Sequence, residues 1–587
     1  MGQADERPAT ENRFKTHDNV ELFYRHWPAQ NERRGAVVMF HRGHEHSARI
    51  SHLVEELGLV DFDFFAWDAR GHGHSPGARG FSPSFGTSVR DVQTFIDHIC
   101  DEHGIASADM VVLAQSVGAV LVSTWAHDYA PQVRALVLAS PAFKVKLYVP
   151  FARPSLRLMH KLRGNFFVNS YVKSKFLTHD SERQASFDND PLIARAISVN
   201  ILLGLYDAAE RVVADAGAIT IPTQLLISGA DWVVEHQPQY EFFARLGSLV
   251  KEIHLLEGFF HDTLGEANRE RAIGLVHDFI LRQFDEPSPV IDLNDADKCG
   301  YTYEEAQQLA ESLPEGSLKD RWWKLYRKGL SWSAKVSDGI SLGQRTGFDS
   351  GSTLDYVYRN EARGTGLIGR MVDRNYLDAI GWRGIRQRKL HLEELICLAI
   401  TRLRDADKPV KVLDIAAGHG RYVLDALTTV GSKPDSILLR DYSGTNVRDG
   451  SRLISERGQG VIARFETGDA FDTDSVAAAQ PGTTVGIVSG LYELFPDNDV
   501  VRASLAGLAQ AVEPGGYLLY TGQPWHPQLE MIARALTSHR EGQAWVMRRR
   551  SQAEMDQLVR EAGFEKLDQR IDEWGIFTVS MARRCEA

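Results

Sequence analysis

The stretch Val111-Val112-Leu113-Ala114-Gln115-Ser116-Val117-Gly118-Ala119 constrains the N-terminal half more than any other. A short apolar run that breaks at a serine flanked by small residues reads as a buried strand turning sharply into a helix. A serine two residues after a small residue and two before a glycine is forced into a tight elbow, with its hydroxyl exposed above the sheet. Ser116 is therefore the candidate nucleophile. Ala114 stands where glycine is usual in this pattern. The match alone is common by chance, so partner residues must decide it.

The flanking sequence supplies a sheet for that elbow. Val20 to Trp27 alternates as an early strand, and Gly35 to His41 is a continuous apolar run, as expected of a strand buried on both faces of a parallel sheet. Phe62 to Asp68 is another strand, Asp91 to Cys100 has helical spacing, and the helix after Ser116 is expected to reach about Tyr129. Val133 to Ala139 continues the sheet, which resumes at Thr223 to Gly229 after an interruption of helical character over about 143–219. Asp231 follows a strand end, where a carboxylate can orient an imidazole, and Glu252 to Leu256 leads to His261, the candidate general base. A helix, Arg269 to Phe284, closes the region before Asp285-Glu286-Pro287-Ser288-Pro289-Val290.

Three segments resemble one family. His41-Arg42-Gly43-His44-Glu45-His46-Ser47 is similar to the His-Gly-x-Gly-Glu-His-Ser loop of monoacylglycerol lipases and lysophospholipases, members of the α/β-hydrolase fold. Asp68 to Ser75 resembles that family's Asp-x-Arg-Gly-His-Gly-x-Ser turn, and Gly229 to Val234 its Gly-x-Asp-x-Val-Val signature. The resemblance implies a triad of Ser116, Asp231 and His261, an oxyanion hole from the amides of Gly43 and Val117, and a lid at about 143–219. It also makes the clustered histidines architecture, so no metal is expected. Arg42 replaces the family's small residue. A thioesterase acting on carrier-bound acyl groups stays open, because a triad alone does not separate it from a lipase.

The first part of the lid mixes Lys144, Lys146, Arg153, Arg157, Lys161 and Arg163 with Leu147, Tyr148, Val149, Phe151, Leu156, Leu158 and Met159. Such a stretch can rest on an anionic lipid surface or form a solvated helix packed over the site.

The second half carries a different constellation. From Tyr301 the chain is helical, with Trp322, Trp323, Leu325 and Tyr326 expected to pack together and helical spacing over Tyr376 to Trp382 and Lys389 to Arg402. This region is expected to cap the next domain, where Lys411 to Asp414 is a strand entering the loop Ala416-Ala417-Gly418-His419-Gly420. A dinucleotide-binding loop would want a third glycine near Val423. The acidic strand end with two later glycines instead resembles motif I of class I S-adenosylmethionine-dependent methyltransferases, with Ala416 in place of the first glycine. Strands at Ser436 to Asp441, Phe465 onward, Thr484 to Val488 and Gly516 to Thr521 follow, then a hairpin of Phe564 to Ile571 with Ile576 to Met581. The resemblance implies S-adenosylmethionine as cofactor. Asp414 would hold the loop, Ala416, Gly418 and Gly420 would admit the methionine portion, and Asp441 would hold the ribose hydroxyls. Asp469, with Ala470 beside it, would contact the adenine. Tyr492, Glu493 and His526 are either acceptor-side groups or ordinary loop residues.

A chain of 587 residues exceeds one core, and the segments divide it into a hydrolase domain at 10–285, a linker at 286–300, a helical extension at 301–405 and a methyltransferase core at 406–587. The net charge of −12 argues against a nucleic-acid partner. Cys100, Cys299, Cys397 and Cys585 form no paired spacing, and Met1 to Asn12 carries no apolar signal core. The expectation is a reduced cytoplasmic protein without a transmembrane segment, in contact with the inner membrane surface if the lid binds lipid. Its fold class is α/β in both halves, with a lipid or acyl ester as one substrate and a small molecule or lipid as methyl acceptor. In the alternative reading, one half is a non-catalytic binding or regulatory module.

Overall fold

Strands form where apolar, β-branched and aromatic residues run without interruption. In this computed structural model, which describes residues 7–146, 151–170, 172–286, 289, 291–540 and 542–586, the N-terminal strands are β1 (Thr10–Lys15), β2 (Glu21–Trp27), β3 (Gly35–Phe40), β4 (Phe62–Trp67), β5 (Met110–Gln115), β6 (Ala135–Ala139), β7 (Phe167–Asn169), β8 (Ala196–Ser198), β9 (Thr223–Ser228) and β10 (Lys251–Leu256). Every residue of β3, β4, β5, β6 and β9 is buried, as central strands covered on both faces require. The first part of Met1 to Asn12, the lid residues Leu147 to Val149, and Pro287, Ser288 and Val290 of the linker lie outside the described residues.

The chain divides into two compact units, Met1–Ile291 and Asp292–Ala587. The first holds an eight-stranded sheet ordered β1-β2-β4-β3-β5-β6-β9-β10. β1 pairs antiparallel with β2 and β2 with β4, while the remaining pairs are parallel. This is an α/β-hydrolase sheet. β1 carries no alternation in its sequence because it is an edge strand with Phe14 as its one buried residue. The helix Glu270–Asp285 packs Val276, Phe279 and Ile280 against Phe62, Phe64 and Val111 of the sheet.

The segment expected to form a lid holds the helices Ala152–Arg163, Ser181–Asn189 and Val199–Ala214, but it is not purely helical. β7 and β8 form an antiparallel pair, each too short to show a period.

The second unit contains β11 (Lys411–Asp414), β12 (Ser436–Asp441), β13 (Ala463–Thr467), β14 (Thr483–Val488), β15 (Val512–Gly522), β16 (Phe564–Ile571) and β17 (Thr578–Arg584). Their order is β13-β12-β11-β14-β15-β17-β16, parallel except for β17, which runs antiparallel to both neighbours. A parallel Rossmann-like sheet ending in an antiparallel hairpin is consistent with a methyltransferase core. Upstream, the spacing over Tyr376 to Trp382 does not form one helix: Gly366–Leu377 ends and Ile380–Asp405 begins there. On Leu318–Ser333 the four aromatic and leucine side chains do not form one packed group. Trp323 and Tyr326 meet edge to face at 5.6 Å, but Trp322, Leu325 and Tyr326 are all exposed. Residues on one turn of a helix diverge around it, so only part of that set can face inward.

Candidate active sites

The strand-to-helix junction at Ser116 is held in an uncommon backbone conformation. Its φ of 57° and ψ of −117° lie where residues with side chains pay strain, and the surrounding sheet and helix over-determine it. Glycine is required at 118, because a Cβ there would sit 2.5 Å from the His41 carbonyl oxygen. This close approach brings the start of the helix Val117–Tyr129 against the end of β3. Ser116 Oγ lies 2.7 Å from His261 Nε2, and His261 Nδ1 lies 2.7 Å from Asp231 Oδ2.

Asp231 is itself anchored. Its Oδ1 accepts from the amides of Val233 at 2.7 Å and Val234 at 3.0 Å, and Lys146 Nζ donates to its backbone carbonyl at 2.5 Å. Burial opposes ionisation of this carboxyl, yet the adjacent His261 and the two amides hold it below the ordinary carboxylate range. With Nδ1–H given to Asp231, His261 Nε2 is free to accept from the serine hydroxyl.

Gly43 lies beside the opening of that helix, where an added Cβ would come within 2.9 Å of Val117 Cγ2. His44, at the family's glycine position, adopts φ 71°. Arg42 is buried and ion-paired: its guanidinium donates to Glu45 at 3.0 and 2.5 Å and lies 3.4 Å from Asp262. Arg183, from the helix Ser181–Asn189, reaches the same Asp262 at 2.9 Å. Burial works against the Asp262 charge, but these two guanidiniums hold its carboxyl well below the usual range. The loop histidines have separate partners. His41 Nδ1 donates to the Arg42 carbonyl at 2.6 Å and His46 Nε2 meets Asp190 at 2.8 Å, while burial pushes His44 down to about 4. Among the described residues, the one group of potential ligands close enough for a metal is His17, Asp18 and Asp91, and Arg70 already bridges its two carboxylates.

Of the six basic lid residues, Lys144 pairs with Glu235 at 2.8 Å, Lys146 holds the Asp231 carbonyl, Arg153 bonds Asp207 and Glu210, and Arg157 bonds Asp207. Lys161 and Arg163 are exposed. The helix Ala152–Arg163 has no buried residue.

In the second unit, the loop after β11 borders a cavity of about 550 Å3. Ala416, Gly418, Gly420, Asp441, Asp469 and Ala470 line it. Gly418 and Gly420 have φ of 59° and 71°, the left-handed region that suits glycine. Asp414 does not line the cavity. It is fully buried beneath the loop, accepting from Tyr422 Oη at 2.6 Å and the Ala416 amide at 3.2 Å, and burial raises its carboxyl to about 7. Asp441 Oδ2 accepts from the Gly418 amide at 3.0 Å, and its Oδ1 from Ser443 and Asn446, so the end of β12 is tied to the glycine loop. Asp469 uses Oδ1 to accept from the Phe471 amide at 2.9 Å.

The polar lining suits a nucleoside that carries an amino acid. The carboxylates of Asp349, Asp355, Asp441 and Asp469 line the cavity, of which Asp441 and Asp469 are complementary to hydroxyl and amino donors, and His419 Nε2 is buried on its wall without a hydrogen-bond partner.

Tyr492 points elsewhere: it is buried in the core and bonds Ser504 at 2.9 Å. Glu493 and His526 instead line a second, mostly apolar cavity of about 420 Å3, together with Arg388 and Gln523. Arg388 was not singled out by sequence, although an arginine on the stripe of Trp382, Ile385, Leu392 and Leu395 is a legible anomaly.

Residues 276–584 match the family model described as "Putative methyltransferase". The chain belongs to that methyltransferase family. Residues 31–268 match the model described as "Serine aminopeptidase, S33". The chain is 58% identical over 575 residues to the protein named "Uncharacterized protein YnbC" of Escherichia coli (strain K12), covering 98% of each chain. It is 23% identical over 274 residues to the monoacylglycerol lipase of Mycolicibacterium smegmatis, covering 46% of this chain and 97% of that one. The crystal structure of Paleococcus ferrophilus monoacylglycerol lipase aligns with a TM-score of 0.41 at 24% identity, over 45% of this chain and 100% of that one. The enzyme joins a lipase/esterase-type α/β hydrolase to a methyltransferase domain. Among the described residues no helix is long and apolar enough to cross a membrane.

Proposed function

We propose that the first unit hydrolyses a lipid-like carboxylic ester and the second transfers a methyl group from S-adenosylmethionine to a small-molecule or lipid acceptor. The observation that carries the first half is the continuous 2.7 Å chain from Ser116 Oγ through the His261 ring to Asp231. His261 Nε2 takes the hydroxyl proton as Ser116 attacks the ester carbonyl, and Asp231 stabilises the resulting imidazolium. The amides of Gly43 and Val117 stabilise the oxyanion. His261 returns the proton to the departing alcohol, and water then releases the acid by the same steps. The monoacylglycerol lipase relatives favour an ester over a carrier-bound thioester.

In the second unit, Asp441 and Asp469 would hold the ribose hydroxyls and adenine, and Ala416, Gly418 and Gly420 would let the backbone approach the methionine portion. Asp414 acts beneath the loop, as a positioning residue. When bound, S-adenosylmethionine supplies an electrophilic methyl group on a sulfonium. Four free cysteines support a reducing, cytoplasmic setting. The exposed Lys161 and Arg163, with Phe151 and Leu162, support peripheral contact of the lid with an anionic membrane.

Ser116→Ala is expected to abolish p-nitrophenyl ester hydrolysis and fluorophosphonate labelling while calorimetric binding of S-adenosylmethionine is unchanged. Retained hydrolysis would overturn the triad, and no cofactor binding at millimolar concentration would overturn the donor site. Preference for acyl thioesters over oxygen esters would favour the thioesterase reading.

A further inference from the structure

The apolar cavity of about 420 Å3 shares Asp349, Leu354, Arg388, Gly490 and Leu494 with the proposed donor cavity, so the two spaces are neighbours within one unit. Most of its wall is hydrocarbon and aromatic, including Ile340, Trp382, Ile385, Trp545 and Phe577. Three of its polar groups, Glu493, Gln523 and His526, are deeply buried and incompletely paired.

Glu493 is 9% exposed. Its Oε1 accepts from Thr521 Oγ1 at 2.8 Å and lies 3.4 Å from Arg388 Nη1, but Oε2 has no partner. Thr521 Oγ1 in turn accepts from the Gly490 amide at 2.8 Å, fixing the carboxylate against the end of β14. Gln523, 5% exposed, has an unpartnered Nε2. His526 accepts at Nδ1 from the Gln528 amide at 3.0 Å, and burial lowers its pKa to about 4, so the neutral ring carries its proton on Nε2. The wall therefore offers one unused carboxylate acceptor and at least two unused donors, Gln523 Nε2 and His526 Nε2.

Leaving such groups unpaired costs free energy unless a ligand satisfies them. A hydrocarbon would leave them orphaned, and a carboxylate would meet Glu493 with like charge. A hydroxyl, or an amine in its neutral form, can donate to Glu493 Oε2 and accept from Gln523 or His526.

We infer that this cavity binds the methyl acceptor, a largely apolar alcohol, phenol or amine whose O–H or N–H donates to Glu493 Oε2. The inference rests on the proposed methyltransferase reading. In the transfer, the lone pair of the acceptor oxygen or nitrogen forms the bond to the methyl carbon. The carbon–sulfur bond breaks with its electron pair left on sulfur, and the acceptor proton passes to Glu493 Oε2 and then to water.

The test is calorimetry on the full-length protein with matched probes: 4-butylphenol, 1-octanol and octylamine, the methyl ethers of the first two, and 4-butylbenzoate. At least one of the phenol, alcohol and amine is expected to bind. Where the phenol or alcohol binds, it should do so at least about tenfold more tightly than its ether, the discrimination of a hydrogen bond to a charged group. Glu493→Gln puts an NH2 where the free oxygen stood and should erase that preference, or for the amine weaken binding at least about tenfold. Gln523→Leu, which keeps the carboxylate, should retain the preference for the hydroxyl. Ethers binding as well as the phenol or alcohol, benzoate binding tightest, no probe binding at millimolar concentration, or a preference unchanged in Glu493→Gln would each overturn the inference. S-adenosylhomocysteine titrated into the same samples separates the two readings. Its binding without any hydroxyl or amine preference defeats this inference alone, and the preference without its binding defeats the donor reading alone.

Discussion

The Arg42 guanidinium lies 3.4 Å from the carboxylate of Asp262, the residue that follows the proposed base His261. Arg42 thus joins the loop that carries Gly43 to the loop that carries His261, and its second partner Glu45 is buried with it. Where the family has a small residue, this chain has built an ion-pair network.

Removing one partner from such a network leaves buried charge uncompensated. Arg42→Met is expected to cost the hydrolase unit about 3–5 kcal/mol in urea denaturation. A loss below about 1 kcal/mol would show that Arg49, 3.5 Å from Glu45, and Arg183, 2.9 Å from Asp262, suffice to neutralise both carboxylates.

Ser116 sits at φ 57°, where any side chain carries a conformational cost. Ser116→Gly should be more stable than Ser116→Ala by about 1 kcal/mol, because only glycine adopts that conformation freely. Both should be inactive towards esters. Equal melting temperatures would argue against strain at the elbow.

At Gly118 the added methyl of alanine would meet the His41 carbonyl oxygen at 2.5 Å. Gly118→Ala should push the helix away from β3 and carry the Val117 amide with it. Esterase kcat is expected to fall about 100-fold, the scale of losing one oxyanion donor. Unchanged kcat in a folded variant would remove Val117 from the oxyanion hole.

Asp414 gives the methyltransferase unit a pH dependence of definite sign. Burial raises its pKa to about 7, above the ordinary carboxylate value it has when unfolded. Below about pH 4 both states are protonated and it contributes no difference. Between about 4 and 7 the unfolded chain loses the proton first, so stability should fall as pH rises, and the penalty should level off above 7. Asp414→Asn should flatten that slope in denaturation curves recorded from pH 4 to 8. A slope unchanged by the substitution would place its origin elsewhere.

The strands β3 and β5 were legible because a fully buried strand imposes a long apolar run on its own residues, and β9, β11 and β12 because each keeps a shorter run, Leu225 to Ile227, Val412 to Leu413 and Ile437 to Leu439, at its centre. β1 was not, since an edge strand needs little more than its hydrogen-bonded partner, and neither was the β7–β8 pair, whose strands are shorter than any period. The helix break at Asp378 and Ala379 was hidden for a related reason: apolar spacing continues across it.

By itself, the sequence determined which local segments turn from strand to helix, and hence that Ser116 and the loop from Ala416 to Gly420 would stand at strand ends. It also named Asp231 and His261 through their places after strands. Those are local properties, written in residues a few positions apart. The tertiary structure alone decided that Asp414 lies beneath its loop, that Tyr492 turns into the core, and that Arg388, Glu493, Gln523 and His526 share one cavity. Arg388 lies 105 positions before Glu493, and no period links them. Only the packing of the long helix Ile380–Asp405 against the sheet brings Arg388 onto the wall that Glu493, Gln523 and His526 line.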